Sequence, residues 1–342
     1  MGSTRQPELH KNPPRLLSVV VPFLNEEQAL PRLIQVLERV ISAMQQPWEL
    51  VLVDDGSRDH SLEVARTQLG QRPDLTAQVI SLSRNFGKEA ALTAGLEAAR
   101  GDVVVPLDAD LQDPPELIGA MIEAWRKGYQ VVYAVRKSRN GENWAKRFSA
   151  YAFYRLITRI SDTQIPADTG DFRLMDRAVV DALLQLPERT RFMKGLFAWV
   201  GYQQTAIYYD REARNEGSSR WNYLKLWSLA VDGLTSFSHM PLQVIGATGT
   251  ALAIVAFAYG AWITARTIVY GVDLPGYASL LTVILLLGGV QLSSIGVLGE
   301  YLGRIFLEVK RRPLYLIRSR EDFMPHHQPQ NKGHNPSSMH HE

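Results

Sequence analysis

The sequence predicts an α/β domain built on a mostly parallel sheet with helices on both faces, followed by a pair of membrane helices. Three observations carry this. The first two thirds alternate short runs of Val, Leu and Ile with amphipathic stretches. Four of the apolar runs end in polar and acidic residues. Beyond residue 240, Gln243–Ala265 and Tyr277–Gly299 contain no charged side chain. Nearly continuous apolar runs belong to strands covered on both faces, and alternation of strand with helix implies parallel pairing.

The strands are expected at Leu17–Phe23, Glu49–Val53, Ala77–Leu82, Val103–Leu107 and Gln130–Val135, with helices near 27–43, 59–70, 88–99 and 114–127. A helix over either uncharged segment is long enough to cross a hydrocarbon core about 30 Å thick. Lys310, Arg311 and Arg312 follow the second segment, whereas the loop between the two carries one Arg and one Asp. The positive-inside rule then puts both termini and the α/β domain in the cytoplasm of a multi-pass inner-membrane protein. Between them, Leu224, Trp227, Val231 and Leu234 recur at helical spacing after Trp221. That pattern suits a helix lying in the membrane interface, or one packed on the α/β domain. The expected organisation is a flexible arm over 1–15, a catalytic domain over 16–215, a juxtamembrane amphipathic region over 216–242, two spans within 243–303, and a basic tail over 304–342. The tail is expected to be disordered from about Met324, where His, Pro, Asn and Gln dominate.

Composition narrows the chemistry. The chain has 342 residues and a formal net charge of +2, so no global field recruits nucleic acid. It has no cysteine, which excludes disulfides, thiol catalysis and cysteine-built zinc sites.

The most informative segment is Pro106-Leu107-Asp108-Ala109-Asp110-Leu111-Gln112-Asp113-Pro114. It leaves an apolar strand, and residues i and i+2 of extended chain point the same way, so Asp108 and Asp110 can face one ligand. Carboxylates and an amide oxygen suit Mg²⁺ or Mn²⁺, ions that also take diphosphate oxygens. The other strands end in Pro22-Phe23-Leu24-Asn25-Glu26-Glu27, Asp54-Asp55-Gly56-Ser57 and Ser83-Arg84-Asn85-Phe86-Gly87-Lys88. In an open parallel sheet all four ends face one crevice.

With these motifs the chain resembles the family 2 glycosyltransferases of GT-A, Rossmann-like fold. Arg84–Lys88, Asp108–Pro114 and Gly170-Asp171-Phe172-Arg173-Leu174-Met175 resemble the polyprenyl-phosphate members in particular. The resemblance implies roles. Pro22, Asn25 and Glu27 would line the base and ribose pocket, Asp54 and Asp55 would hold the nucleoside, and Lys88 would lie near the nucleotide. Asp108, Asp110 and Gln112 would hold the metal or the sugar diphosphate, and Asp171 would be the catalytic carboxylate, as a base or as an orienter of the acceptor. The implied partners are a nucleoside-diphosphate sugar, a polyprenyl phosphate, the membrane and further copies of the chain, as a homotetramer. Arg136 and Arg220 are the candidate ligands of the acceptor phosphate, since the guanidinium fork suits phosphate and Trp221 would set its depth. The sugar stays open, with glucose from uridine diphosphate glucose the first choice. A processive polysaccharide synthase is the second reading, although Gly217-Ser218-Ser219-Arg220-Trp221 lacks the Gln that such enzymes carry. An inactive nucleotide-sugar sensor or scaffold is the third.

Overall fold

Leu17–Phe23 forms β1, and every one of its residues is buried. A strand of Leu, Val and Phe with no solvent face has to be central, and β1 is. In this computed structural model, which describes residues 12–136, 169–186, 188, 191, 193–209, 240–270 and 276–324, β1 pairs in parallel with two neighbours. One is β2 (Trp48–Asp54) and the other β4 (Val103–Pro106). β2 pairs in parallel with β3 (Thr76–Leu82). β6 (Thr169–Asp176) runs antiparallel to β4, and β8 (Ile317–Phe323) runs antiparallel to β3. The order through this part of the sheet is β6-β4-β1-β2-β3-β8.

The helices α1 (Ala29–Ala43), α2 (Ser61–Gly70), α3 (Lys88–Ala98) and α4 (Leu117–Arg126) fill the crossovers. α1 buries Leu30, Leu33, Ile34, Leu37 and Ile41, a stripe at helical spacing. Its N-cap, Gln28, makes no capping bond, a loss of about 1 kcal/mol. Each buried Leu or Ile contributes roughly 1.5–3 kcal/mol, so packing rather than capping holds α1. α3 lies tight on the sheet because it is small-sided: a Cβ on Gly95 would come within 2.2 Å of the Val20 side chain.

The end of the sheet opposite the carboxyl ends is pinned by a buried charge. Glu49 is fully buried, accepts a hydrogen bond from Ser18 Oγ at 2.6 Å, and is paired with Arg100, whose Nε donates at 2.9 Å. The Arg100 amide also donates to it at 2.6 Å.

The chain divides into two compact units, one of residues 1–129, 172–180 and 315–342, the other of 130–171 and 181–314. In the second unit β5 (Val131–Arg136) pairs in parallel with β7 (Gln204–Tyr209). α5 (Arg177–Gln185) follows β6, and α6 (Met193–Trp199) precedes β7. Two long helices complete it, α7 (Met240–Tyr270) and α8 (Tyr277–Val309).

Among the described residues one helical stretch, Ile245–Tyr270, is long and apolar enough to cross a membrane, and none of it is buried. The expectation of two such spans is thus met for one of them. The helix also runs five residues past Ala265, through Arg266 to Tyr270, where a connecting loop was expected. Within the stretch expected as a basic tail, Ile317–Phe323 forms a sheet strand. Its sequence hides this. Ile-Arg-Ser-Arg-Glu-Asp-Phe has no apolar face, and an edge strand can be held by its main chain alone. The arm up to residue 11, the amphipathic region around Trp221–His239 and the tail beyond Met324 lie outside the described residues.

Arg100→Leu is expected to cost about 3 kcal/mol, because it leaves the Glu49 carboxylate buried and unpaired. Adding Glu49→Gln should return part of that loss. Thermal melting of both variants in detergent measures it, and a double variant no more stable than the single one would refute the account.

Candidate active site

The register sets the site. Phe23 stands beside Asp54, and Asp54 beside Ser81, so β1, β2 and β3 end at one level. β4 ends beside them, with Val20 opposite Pro106. The loops that follow the four strands enclose an open cleft of about 280 Å³.

Asp55 builds one wall. It is 3% exposed, and its two carboxylate oxygens accept the backbone N–H groups of Phe86 at 2.7 Å and Gly87 at 2.9 Å. The loop after β3 is thereby tied to the end of β2. Burial pushes the Asp55 carboxyl up, and the charge of Asp54 adds to this, against the two amides and Arg84, which pull it down. Gly56 follows with φ +74°, and a Cβ there would lie 2.6 Å from the Arg84 carbonyl carbon. Only glycine allows the two loops to touch in this way. Asp54 has another task. Ser57 N–H and Ser81 Oγ donate to its two oxygens at 2.8 and 2.9 Å, and it is not among the residues lining the cleft.

The loop after β1 turns on Asn25, which has φ +56°, a left-handed conformation that Asn tolerates. Asn25 Oδ1 accepts the Arg58 N–H at 2.8 Å, and Glu27 Oε2 accepts the His60 N–H at 3.1 Å. Both side chains brace the loop after β2. Glu26 lines the cleft instead, beside Pro22. The resemblance implies Glu27 for the pocket, whereas Glu26 is the carboxylate that lines this cleft, next to the left-handed Asn25. Burial pushes the Glu26 carboxyl up, and the negative charges of Asp110, Asp59 and Asp108 push it further.

The floor is the segment after β4. Asp108, Ala109 and Asp110 line the cleft. Lys88, the first residue of α3, sets its Nζ 2.7 and 3.0 Å from the two oxygens of Asp108. Leu111 is left-handed at φ +52°, uncommon for leucine, and the resulting turn lets Gln112 N–H donate to Asp110 Oδ1 at 3.1 Å. The Gln112 side chain is half-buried and does not line the cleft.

Of the residues singled out from sequence, the cleft therefore gathers Pro22, Asp55, Lys88, Asp108 and Asp110, and the structure adds Glu26 and Asn85. Asp171 stands half-buried on β6 and belongs to the other compact unit. Arg136 ends β5 opposite Tyr209, while its side chain and all of Arg220 lie outside the described residues. Among the described residues no group of three or more His, Asp and Glu is arranged as a metal cage. The donors do fit a hard divalent ion of another kind. Mg²⁺ is commonly held by one or two carboxylates and completed by substrate phosphates, and here Asp108 and Asp110 line the cleft beside Glu26, whose carboxyl is pushed up by burial and by their negative charges.

A mostly parallel sheet with acidic loops at its carboxyl edge is the arrangement of a GT-A fold, and the sequence comparisons give the family. The model of glycosyl transferase family 2 matches residues 18–184, and that of the GtrB C-terminal hairpin matches 240–305. The chain belongs to glycosyl transferase family 2 and is a glycosyltransferase. It is 52% identical to an uncharacterized glycosyltransferase of Synechocystis, over 88% of this chain and 94% of that one. It is 46% identical to the bactoprenol glucosyl transferase of Shigella phage SfX, over 89% and 99% of the two chains. The prophage bactoprenol glucosyl transferase homolog of Escherichia coli K12 is 43% identical over 88% and 98%.

A carboxyl group with a raised pKa holds its proton more tightly folded than unfolded. The cost of ionising Glu26 in the fold is therefore absent in acid and develops as the pH rises through and above its ordinary value of 4.5. Without divalent ions, Glu26→Gln should melt higher than the natural protein at neutral pH, and the gap should close below pH 4.5. Equal melting temperatures at neutral pH would dispose of the cost that burial and the neighbouring carboxylates place on the Glu26 charge.

Proposed function

We propose that the protein transfers one glucose from uridine diphosphate glucose to a polyprenyl phosphate at the cytoplasmic face of a membrane, with inversion at the sugar. The observation that carries this is the cleft itself. Asp108, Asp110 and Lys88 meet at the carboxyl edge of the sheet, in a chain 46% identical, almost end to end, to a bactoprenol glucosyl transferase.

Asp108 and Asp110 would hold Mg²⁺ or Mn²⁺, which when bound supplies a Lewis acid for the departing diphosphate. Lys88 brings an ammonium to the same anion. Asp55 keeps the Arg84–Lys88 loop in place under the nucleotide. Asp54 supports it from behind, and Glu26 and Pro22 bound the opposite side. The acceptor needs little activation, because a phosphate monoester, with its second pKa near about 6, is largely ionised at neutral pH. Asp171 then orients the acceptor or takes a residual proton, and Arg136 and Arg220 neutralise its phosphate.

Two spans anchor the enzyme in this reading. α7 carries the apolar stretch already described, and α8 continues the same family hairpin with no charged residue from Tyr277 to Gly299. The cationic run Lys310, Arg311 and Arg312 supports a cytoplasmic catalytic domain. The hairpin is also what speaks against a processive synthase, since two helices are few for a polymer channel.

The test is incubation of the full-length protein with Mg²⁺ or Mn²⁺, a panel of nucleotide sugars and a polyprenyl phosphate, with the lipid product weighed by mass spectrometry. Free uridine diphosphate should appear only when the lipid is present, and the lipid should gain a single hexose. Polymer growth, or release of diphosphate independent of lipid, would overturn the reading. Chelation of divalent ions should abolish turnover and their return restore it. Asp110→Asn should lower turnover at least about a hundredfold, the scale of losing one preorganised electrostatic partner, while its melting temperature stays near that of the natural protein. Normal turnover in that variant would remove Asp110 from the diphosphate site.

A further inference from the structure

The last described segment of the chain reaches the loop that carries Lys88. β8 pairs with the edge strand β3, with Phe323 opposite Ala77 and Ser319 opposite Ser81. Then the register breaks. Ile317 stands opposite Leu82, so Arg318 is an extra residue with no partner across the ladder. Such a bulge re-aims a side chain, and bulges are common beside active sites. Here the Arg318 guanidinium donates to the Ser83 carbonyl at 2.7 Å, and the Ser83 N–H donates to the Leu316 carbonyl at 2.8 Å.

Ser83 is where β3 gives way to the Arg84–Lys88 loop. Its main chain is thus held on both polar groups by the C-terminal segment. Asp55 holds the same loop downstream, at Phe86 and Gly87. Tyr315 adds a third hold, since its hydroxyl bonds to Glu97 in α3, the helix that begins with Lys88. Farther along, the ion pair of Arg66 with Glu321 fastens β8 to α2, and Arg320 donates to Gln78 Oε1 on β3 at 2.8 Å. Those last two contacts would suffice to cover a sheet edge. The bulge and the Ser83 contacts do something else, as they fix the start of the loop.

We propose that Tyr315–Arg318 is the outer clamp of the nucleotide loop, with Arg318 a positioning residue that acts through Ser83 on Lys88 and the Arg84–Gly87 backbone. This rests on the reading of that loop as part of the nucleotide-sugar site. It gives the segment after α8 a part in donor binding, because the chain leaving the hairpin is the chain that sets the loop.

The test uses three variants of the full-length protein: Arg318→Ala, Arg318→Lys and Arg320→Ala. Two readouts are taken: KM and kcat for the nucleotide sugar, and hydrogen exchange of the 84–87 amides without nucleotide. Arg318→Ala should raise KM about threefold to tenfold, the scale of the net contribution of one ordinary hydrogen bond, with kcat nearly unchanged and faster exchange at 84–87. Arg318→Lys should restore most of both, since an ammonium still donates to the Ser83 carbonyl. Arg320→Ala, which removes a β8 contact of the same kind without touching Ser83, should alter neither. Unchanged exchange and KM in Arg318→Ala, or equal effects from Arg320→Ala, would reduce β8 to an edge cover and overturn the clamp. A natural protein that used no nucleotide sugar would defeat the functional reading, and the exchange measurement would still decide the clamp.

Discussion

The cleft depends on one buried carboxylate. Asp55 is almost wholly removed from water, and burial opposes its charge. What stabilises the charge there is a pair of main-chain amides, from Phe86 and Gly87. The dependence runs both ways. Without Asp55 those amides would lack their acceptors at the cleft wall, and without the amides Asp55 would be an unsatisfied ion, far costlier than a surface one. The pairing forces the loops after β2 and β3 into contact, which is why Gly56 has no room for a side chain. Lys88 begins α3 directly beyond Gly87, so its position follows from the same contact.

The opposite wall is held by charge in another way. Asp110, Asp59 and Asp108 repel the Glu26 carboxylate, and Lys88 pairs with Asp108. Both partners of that pair remain well exposed, at 45% and 39% of their side chains. An exposed ion pair is worth about 0–1 kcal/mol, so it orders Lys88 without trapping it. Such a poise suits the diphosphate and cation proposed for this site. Glu26 is held close to Asp108 and Asp110 at the cost of some stability, and Lys88 can exchange one anion for another.

Much of this was legible in the sequence. The strands and helices up to residue 129 fall within a few residues of their expected positions, because runs such as Leu17–Phe23 and the Leu30–Ile41 stripe answer to burial alone. The carboxyl-edge position of Asp55, Lys88, Asp108 and Asp110 follows from topology. What the sequence did not show is which of these side chains face the cleft, because that is set by backbone direction rather than by chemistry. Glu27 and Asn25 brace a neighbouring loop while Glu26 faces the cleft, and Asp54 spends both oxygens on Ser57 and Ser81. β8 escaped because its polar sequence carries no periodicity that burial would impose.

The adjacent acids Asp54 and Asp55 show why a motif alone cannot assign such roles. Successive strand residues face opposite sides, so two neighbouring aspartates cannot both serve one ligand unless the chain turns between them. Here Asp54 keeps the strand direction and is satisfied from Ser81 on the neighbouring strand, whereas Asp55 begins the turn and reaches the next loop. Their charges also raise the cost of ionising Asp55. The pair is therefore best understood as one acid satisfied inside the sheet edge and one that builds the cleft wall, where Asp55 lines the open face with Glu26, Lys88, Asp108 and Asp110.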